Sequence, residues 1–183
     1  MTILTELHQD HVNLNKLLVM LRQNADTLRE GKQPNYSLMG DVVEYISSYA
    51  DGFHHPREDQ MYEYFQGRSA ELDKALSGCH ADHLKLKQSS LELREAIDGV
   101  LHDAVMPIDE FINLLDNFVA LQIEHLNEEE GQLFPLLEEV GSNQDWAVLS
   151  EKLPAPEDPL FGVRQAQQYS ELYKEMLIEM NYA

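Results

Sequence analysis

Apolar residues recur every three or four positions through most of the chain, the spacing of a single buried stripe on an α-helix. Leu4, Leu7, His11, Leu14, Leu18, Leu21, Ala25 and Leu28 form the first stripe. They predict a helix over residues 3–30, ended by Gly31 and Pro34. Val43, Ile46, Ala50, His54, Glu58, Met61 and Phe65 form the second, with Ser37 as the expected N-cap and Gly67 as the stop. Pro56 lies inside this segment, where it removes a backbone donor and is expected to kink or restart the helix beside His54 and Glu58. The third helix is expected from about Ser69 to Leu101, with Leu72, Leu76, Cys79, His83, Leu86, Ser90, Leu93, Ile97 and Val100 inward. Gly78 within it costs on the order of 1 kcal/mol relative to alanine and is expected to let a neighbouring helix come close. The fourth opens at Pro107 and closes at Gly141, with Ile108, Phe111, Leu115, Phe118, Gln122, His125, Glu129, Leu133 and Leu136 inward.

Short connections between these four segments favour antiparallel neighbours. The expected fold is all-α, an up-down-up-down four-helix bundle over residues 1–140. Residues 141–183 read as a helical extension packed on it: a short helix over Ser142–Leu153 carrying Trp146, then a proline-rich break at 154–159. A last helix is expected from about Gly162 to Met180, with Val163, Ala166, Tyr169, Tyr173, Met176 and Met180 on one face. No segment shows strand alternation.

Each of the four bundle stripes carries a histidine where an apolar residue is expected, and two motifs repeat. His54-x-x-x-Glu58 returns as His125-x-x-x-Glu129, and an apolar-aromatic tail comes after each, Met61-Tyr62 and Gln132-Leu133-Phe134. His8-Gln9-Asp10-His11 returns as His80-Ala81-Asp82-His83 after nearly the same interval. Residues four apart on a helix share a face, so each His-x-x-x-Glu offers one imidazole and one carboxylate to one point. Two helix pairs related in this way place four histidines and two glutamates at the centre of the bundle.

Charge narrows the partners. With 33 acidic residues against 13 basic the formal charge is −20, which repels phosphate backbones and anionic membrane surfaces. Neither nucleic acid nor membrane is therefore an expected partner. No run approaches the 18 or so apolar residues of a membrane span, no signal peptide is evident at the start, and the lone Cys79 excludes an intrachain disulfide. The expected compartment is the cytoplasm.

Two glutamates on apolar stripes are costly to bury unpaired, and Arg57 is the one basic residue near either in sequence. Bound cations remove that cost. Imidazole with carboxylate suits iron, zinc, manganese or copper rather than magnesium or calcium. Two glutamates can bridge two ions, and six protein ligands leave positions open for a small ligand. That arrangement suits a redox-active di-iron centre better than closed tetrahedral zinc. The Glu-x-x-His motif of ferritin-like di-metal bundles is missing from the sequence. Tyr45, Tyr49, Tyr62 and Tyr64 lie near the motifs and read mainly as core, Cys79 reads as a small core residue, and His102 as a charge at a helix C-terminus.

The set Leu7-His8-Gln9-Asp10-His11, Phe53-His54-His55-Pro56-Arg57-Glu58-Asp59, His80-Ala81-Asp82-His83 and His125-x-x-x-Glu129-Glu130-x-x-Leu133-Phe134-Pro135 resembles the hemerythrin-like, or HHE cation-binding, family. The segment Glu157 to Gly162 looks like the tail of its bacterial members. The resemblance implies a non-haem di-iron centre, two iron ions joined by an oxo or hydroxo bridge, with zinc or manganese as substitutes. Carried over by position, His11, His54 and Glu58 match one half of the metal site and His83, His125 and Glu129 the other, Glu58 and Glu129 being the bridging carboxylates. His80, His8 and His55 are candidate additional ligands. Oxygen-carrying hemerythrins have His-x-x-x-His on the third helix and His-x-x-x-x-Asp on the fourth. Here the spacing is His80-x-x-His83 and His125-x-x-x-Glu129, with Glu130 at the place of the aspartate. The implied function is to bind or process a small oxidant or gas: dioxygen, nitric oxide or hydrogen peroxide. The alternative is an iron or redox sensor, or a metal-buffering protein, without turnover. A homodimer fits either role.

Overall fold

The computed structural model describes residues 2–182, with side chains to Ile178, so the expected inward side chain of Met180 lies outside what is described. Helix α1 spans Ile3–Arg29 and is capped by Thr2, whose hydroxyl accepts from Thr5 N. The second bundle segment is α2 (Tyr36–Tyr49), a π turn (Ala50–His54) and α3 (His55–Phe65). Its N-cap is Asn35, accepting from Leu38 N, in place of the expected Ser37. Helix α4 runs Ala70–Leu101 from a Ser69 cap, and His102 ends it with its ring on Asp98 O. The fourth segment is α5 (Ile108–Glu128), a second π turn (Glu129–Leu133) and α6 (Phe134–Val140). The described residues are all helix, turn and coil.

α1 packs along α5 and α2, and α4 along α2 and α5. The start of α1, the end of α3, the start of α4 and the end of α6 share one apolar cluster, including Leu4, Leu7, Phe65, Leu72 and Leu137. The opposite ends share a second, including Leu18, Leu21, Ile46, Leu93, Leu115 and Phe118. Consecutive segments therefore alternate in direction, which is the expected up-down-up-down bundle.

The two π turns have one cause. Each lies in a Gly-x-x-x-Pro sequence, Gly52 to Pro56 and Gly131 to Pro135. Proline has no N–H for the carbonyl four residues back, and its ring crowds that carbonyl. A π turn absorbs the misfit by adding one residue to the winding, so the helix continues through Pro56 instead of restarting. The added residue also rotates the rest of the segment about the helix axis. In the fourth segment the buried tail is Leu133 and Phe134 while Gln132 is exposed, and Leu137 is fully buried while Leu136 is only half-buried. At the start of that segment Ile108 is 51% exposed, because it precedes the first full turn over the core.

The extension adds side chains to both apolar clusters. α7 (Asn143–Lys152) begins with a capping box between Ser142 and Asp145, and carries Trp146 and Leu149 onto the cluster of Leu7 and Phe65. The Trp146 ring lies so close to Gly141 that a Cβ there would meet it at 2.4 Å. The final helix, α8 (Ser170–Tyr182), starts later than the apolar rhythm suggests. Asp158 accepts from Leu160 N and Phe161 N and from Tyr45 Oη, closing a side-chain turn that breaks the helix and leaves Val163 in solvent. Leu160, Tyr169, Leu172 and Met176 pack into the other cluster. Gly78 makes no close helix approach, since nothing lies within 4 Å of a Cβ built there.

Candidate metal centre

Between the two apolar clusters lies a layer of buried polar side chains: His11, His54, His55, Glu58, His83, Gln122, His125 and Glu129. Each bundle segment contributes through its inward stripe. The two glutamates are 0% and 1% exposed and face each other across the axis, with imidazole Nε2 atoms around them. Glu58 Oε1 lies 3.4 Å from His11 Nε2 and 3.3 Å from His54 Nε2, while its Oε2 lies 3.6 Å from His83 Nε2. Glu129 Oε2 lies 3.3 Å from His11 Nε2 and 3.2 Å from His125 Nε2, and its Oε1 lies 3.7 Å from His83 Nε2. His11 Nε2 and His54 Nε2 stand 3.1 Å apart.

These approaches do not form a satisfied network. Neither oxygen of Glu58, nor Glu129 Oε2, nor His125 Nε2 has a hydrogen-bond partner, although all are buried. Arg57 does not compensate either carboxylate. It turns away to Glu6 and to the carbonyl of Leu153. Nitrogen and oxygen atoms 3.1–3.7 Å apart, four of them without a hydrogen bond, have the separation of ligands around ions bonded at roughly 2.0–2.2 Å. Three buried groups each bring four such atoms within 4.8 Å: His11, His54, Glu58 and Glu129; His55, Glu58, His83 and His125; and Cys79, His83, His125 and Glu129.

A second ring of carboxylates turns the histidines so that Nε2 points inward. His11 Nδ1 lies 2.6 Å from Glu130 Oε1, His54 Nδ1 3.1 Å from Asp10 Oδ2, His83 Nδ1 3.0 Å from Asp59 Oδ1 and His55 Nδ1 3.3 Å from Asp51 Oδ1. Tyr49 donates to Asp10 from its hydroxyl. The exposed rings of His8 and His80 belong to this outer ring and not to the donor groups: they bind Glu130 (3.0 Å) and Asp59 (3.2 Å) from the solvent side. Glu130, at the place of the aspartate of oxygen carriers, likewise orients His11 from outside.

Adjacent His54 and His55 serve opposite sides of the layer. His54 meets His11 of α1, while His55 stacks on His83 of α4 and meets His125 of α5 edge-on. Burial opposes charging of His11, His54, His55, His83 and His125, and neighbouring acids outweigh it at some of them. Glu58 and Asp10 raise His54 to about 9, and Asp59 and Glu129 raise His83 to about 10. At His125 burial wins and the ring falls to about 4. For Glu58 and Glu129, burial and mutual repulsion are outweighed by the imidazoles, which hold both carboxyls ionised. The same carboxylates that favour charged rings also favour cations, and ligation requires neutral imidazole, so cation binding competes with protons here.

Two further groups reach the centre. Tyr62 donates to Glu129 Oε1 at 2.6 Å, and Cys79 donates to the same oxygen at 2.9 Å with Sγ 3.6 Å from His83 Nε2. Cys79 is therefore more than core filling, and Tyr62 more than an apolar wall. The signal was the position of Cys79 one turn before His83 on one stripe. Tyr45 instead holds Asp158, and Tyr64 holds Asp145.

An all-helical bundle with buried imidazole and carboxylate donors between two apolar ends defines a class of cation-binding helical proteins. The family model of the hemerythrin HHE cation binding domain matches residues 2–137, and the chain belongs to that family. No curated protein matches it. None of the helices formed by the described residues is long and apolar enough to cross a membrane.

Proposed function

We propose that the centre holds two iron ions and that the protein binds or processes dioxygen, nitric oxide or hydrogen peroxide. The observation that carries this reading is the span of the glutamates. One oxygen of Glu58 faces His11 and His54 while the other faces His83, and Glu129 faces His11 and His125 with one oxygen and His83 with the other. In this reading His11 and His54 would hold one ion, His83 and His125 the other, and Glu58 and Glu129 would be shared between them. His55 stands beside the second place, and His8 and His80 act through Glu130 and Asp59. Residues 1–140 form the ion-holding unit and 141–183 an extension packed on it.

Iron supplies the redox chemistry and the open positions for a small ligand. The chain fixes the imidazoles through Glu130, Asp10 and Asp59, and seals both ends of the layer with apolar side chains. The Tyr62 hydroxyl holds one oxygen of Glu129 and keeps a proton within 2.6 Å of it. A cavity of about 140 Å³ between α4 and the second π turn is lined by Cys79, His125 and Glu129, which gives a diatomic or peroxide a way to the centre.

Anaerobic loading with iron(II) tests this reading. The expected result is two ions per chain and, after oxidation, visible absorption that changes with azide, nitric oxide or peroxide. Steady peroxide consumption selects turnover; spectral change without consumption selects the sensor. A protein that takes up zinc in preference and stays colourless with iron contradicts the proposal and favours metal buffering.

A further inference from the structure

Cys79 has a place in the centre that its outward character as a small core residue does not explain. Its sulfur donates to Glu129 Oε1 at 2.9 Å and stands 3.6 Å from His83 Nε2. One donor atom from each of Cys79, His83, His125 and Glu129 lies within 4.8 Å of the others, and all four residues are buried. On two of these residues a buried atom, His125 Nε2 and Glu129 Oε2, has no hydrogen-bond partner, although both side chains are almost wholly enclosed. A cysteine that only fills space needs no such neighbours.

His55 competes for the same place, since it forms a donor group with Glu58, His83 and His125. The ring geometry is against it. His55 and His83 stack with centroids 4.3 Å apart and planes only 14° from parallel. The lone pair of an imidazole lies in its ring plane, so stacked rings aim side by side and do not converge on one ion. The Cys79 sulfur is under no such constraint, and Cys79 lines the cavity together with His125 and Glu129.

We propose that Cys79 is a metal ligand, its thiolate joining His83, His125 and Glu129 around the second ion. This rests on the two-ion reading above. The two places then differ in kind. His11, His54, Glu58 and Glu129 offer two nitrogens and two oxygens; the other set offers two nitrogens, an oxygen and a sulfur, a softer combination that zinc and cobalt accept as readily as iron. When the cation binds, the S–H bond breaks, the sulfur keeps the electron pair and donates it to the metal, and the proton passes to water through the cavity lined by Gly78 and Glu128. Nothing is oxidised or reduced.

The probe is cobalt(II), titrated anaerobically into the full metal-free chain. The expected result is two cobalt ions per chain and an intense near-ultraviolet sulfur-to-cobalt absorption that saturates with a single ion. X-ray absorption of the zinc-loaded chain should show a sulfur neighbour at about 2.3 Å. Both readings use the parent chain, so they do not depend on a variant folding. In Cys79→Ser the absorption should vanish and the affinity for one of the two ions should fall by at least about 10-fold, the smaller loss typical of an outer partner alone. Two bound cobalt ions with no sulfur absorption and no sulfur neighbour overturn the proposal and give the place to His55; in that event His55→Ala loses an ion. Survival of the absorption in Cys79→Ser overturns it as well. A chain that retains no cobalt, zinc or iron overturns both this proposal and the two-ion reading.

Discussion

At the scale of single residues, the centre separates side chains that face inward in the polar layer from side chains that aim them. His8 and His80 bind Glu130 and Asp59 from the solvent side, so His8→Ala and His80→Ala are expected to keep two ions per chain by elemental analysis. His11→Ala or His83→Ala should lose metal. Asp59 holds His83 Nδ1, and Asp59→Asn is expected to weaken metal binding about 10- to 100-fold while leaving helical content unchanged. Loss of an ion in His80→Ala at parental folding would contradict this division. The inward positions of His11, His54, Glu58, His83, His125 and Glu129 were legible in the sequence because each continues an apolar stripe at helical spacing. The burial of His55 was not, because it depends on a π turn immediately before it. Nor was the role of Cys79, since a small residue on an apolar stripe fits a core equally well.

At the scale of elements, the π turns explain what simple periodicity misplaced. Helix periodicity carried through the second segment, but in the fourth it assigned Leu136 to the interior where the chain buries Leu137. The Gly-x-x-x-Pro echo was visible in the sequence; its effect on winding was not. Deleting Gly131 removes the extra residue of the π turn, so α6 stays in register and cooperative thermal unfolding should persist. Deleting the exposed Asn117 from regular α5 rotates every residue beyond it by about 100° and should abolish that transition. Equal tolerance of both deletions would contradict this account of the register. The cap of α7 gives a pH-dependent counterpart. Arg68, then Ser142, hydrogen-bond the charged Asp145 and hold its carboxyl below the usual range. A depressed folded pKa contributes stability above the unfolded value of about 4 and loses it as pH falls through the folded value. Asp145→Asn should therefore lower Tm at pH 7, with the difference shrinking as the pH is taken below about 4. A gap that widens in acid would reverse the assignment.

At the scale of the whole molecule, a polar layer interrupts the core, and the extension packs on the apolar cluster on either side of it. The bundle and its alternating direction were legible from stripes and short connections. The irregular run before α8 was not, because it depends on Asp158 closing a turn and binding Tyr45 across the fold. Leu172 is fully buried against the cluster farther from α7, and Leu172→Ala should cost about 2–5 kcal/mol in chemical unfolding while leaving two ions per chain. Loss of metal with no loss of stability would mean that the extension serves the centre directly. The whole arrangement turns on two carboxylates, each facing histidines from both halves of the bundle. Metal content of Glu58→Ala combined with Glu129→Ala, measured beside the parent after identical anaerobic iron loading, tests this most directly. The expected result is two ions in the parent and none in the double variant with helical content retained; a double variant that keeps both ions contradicts it.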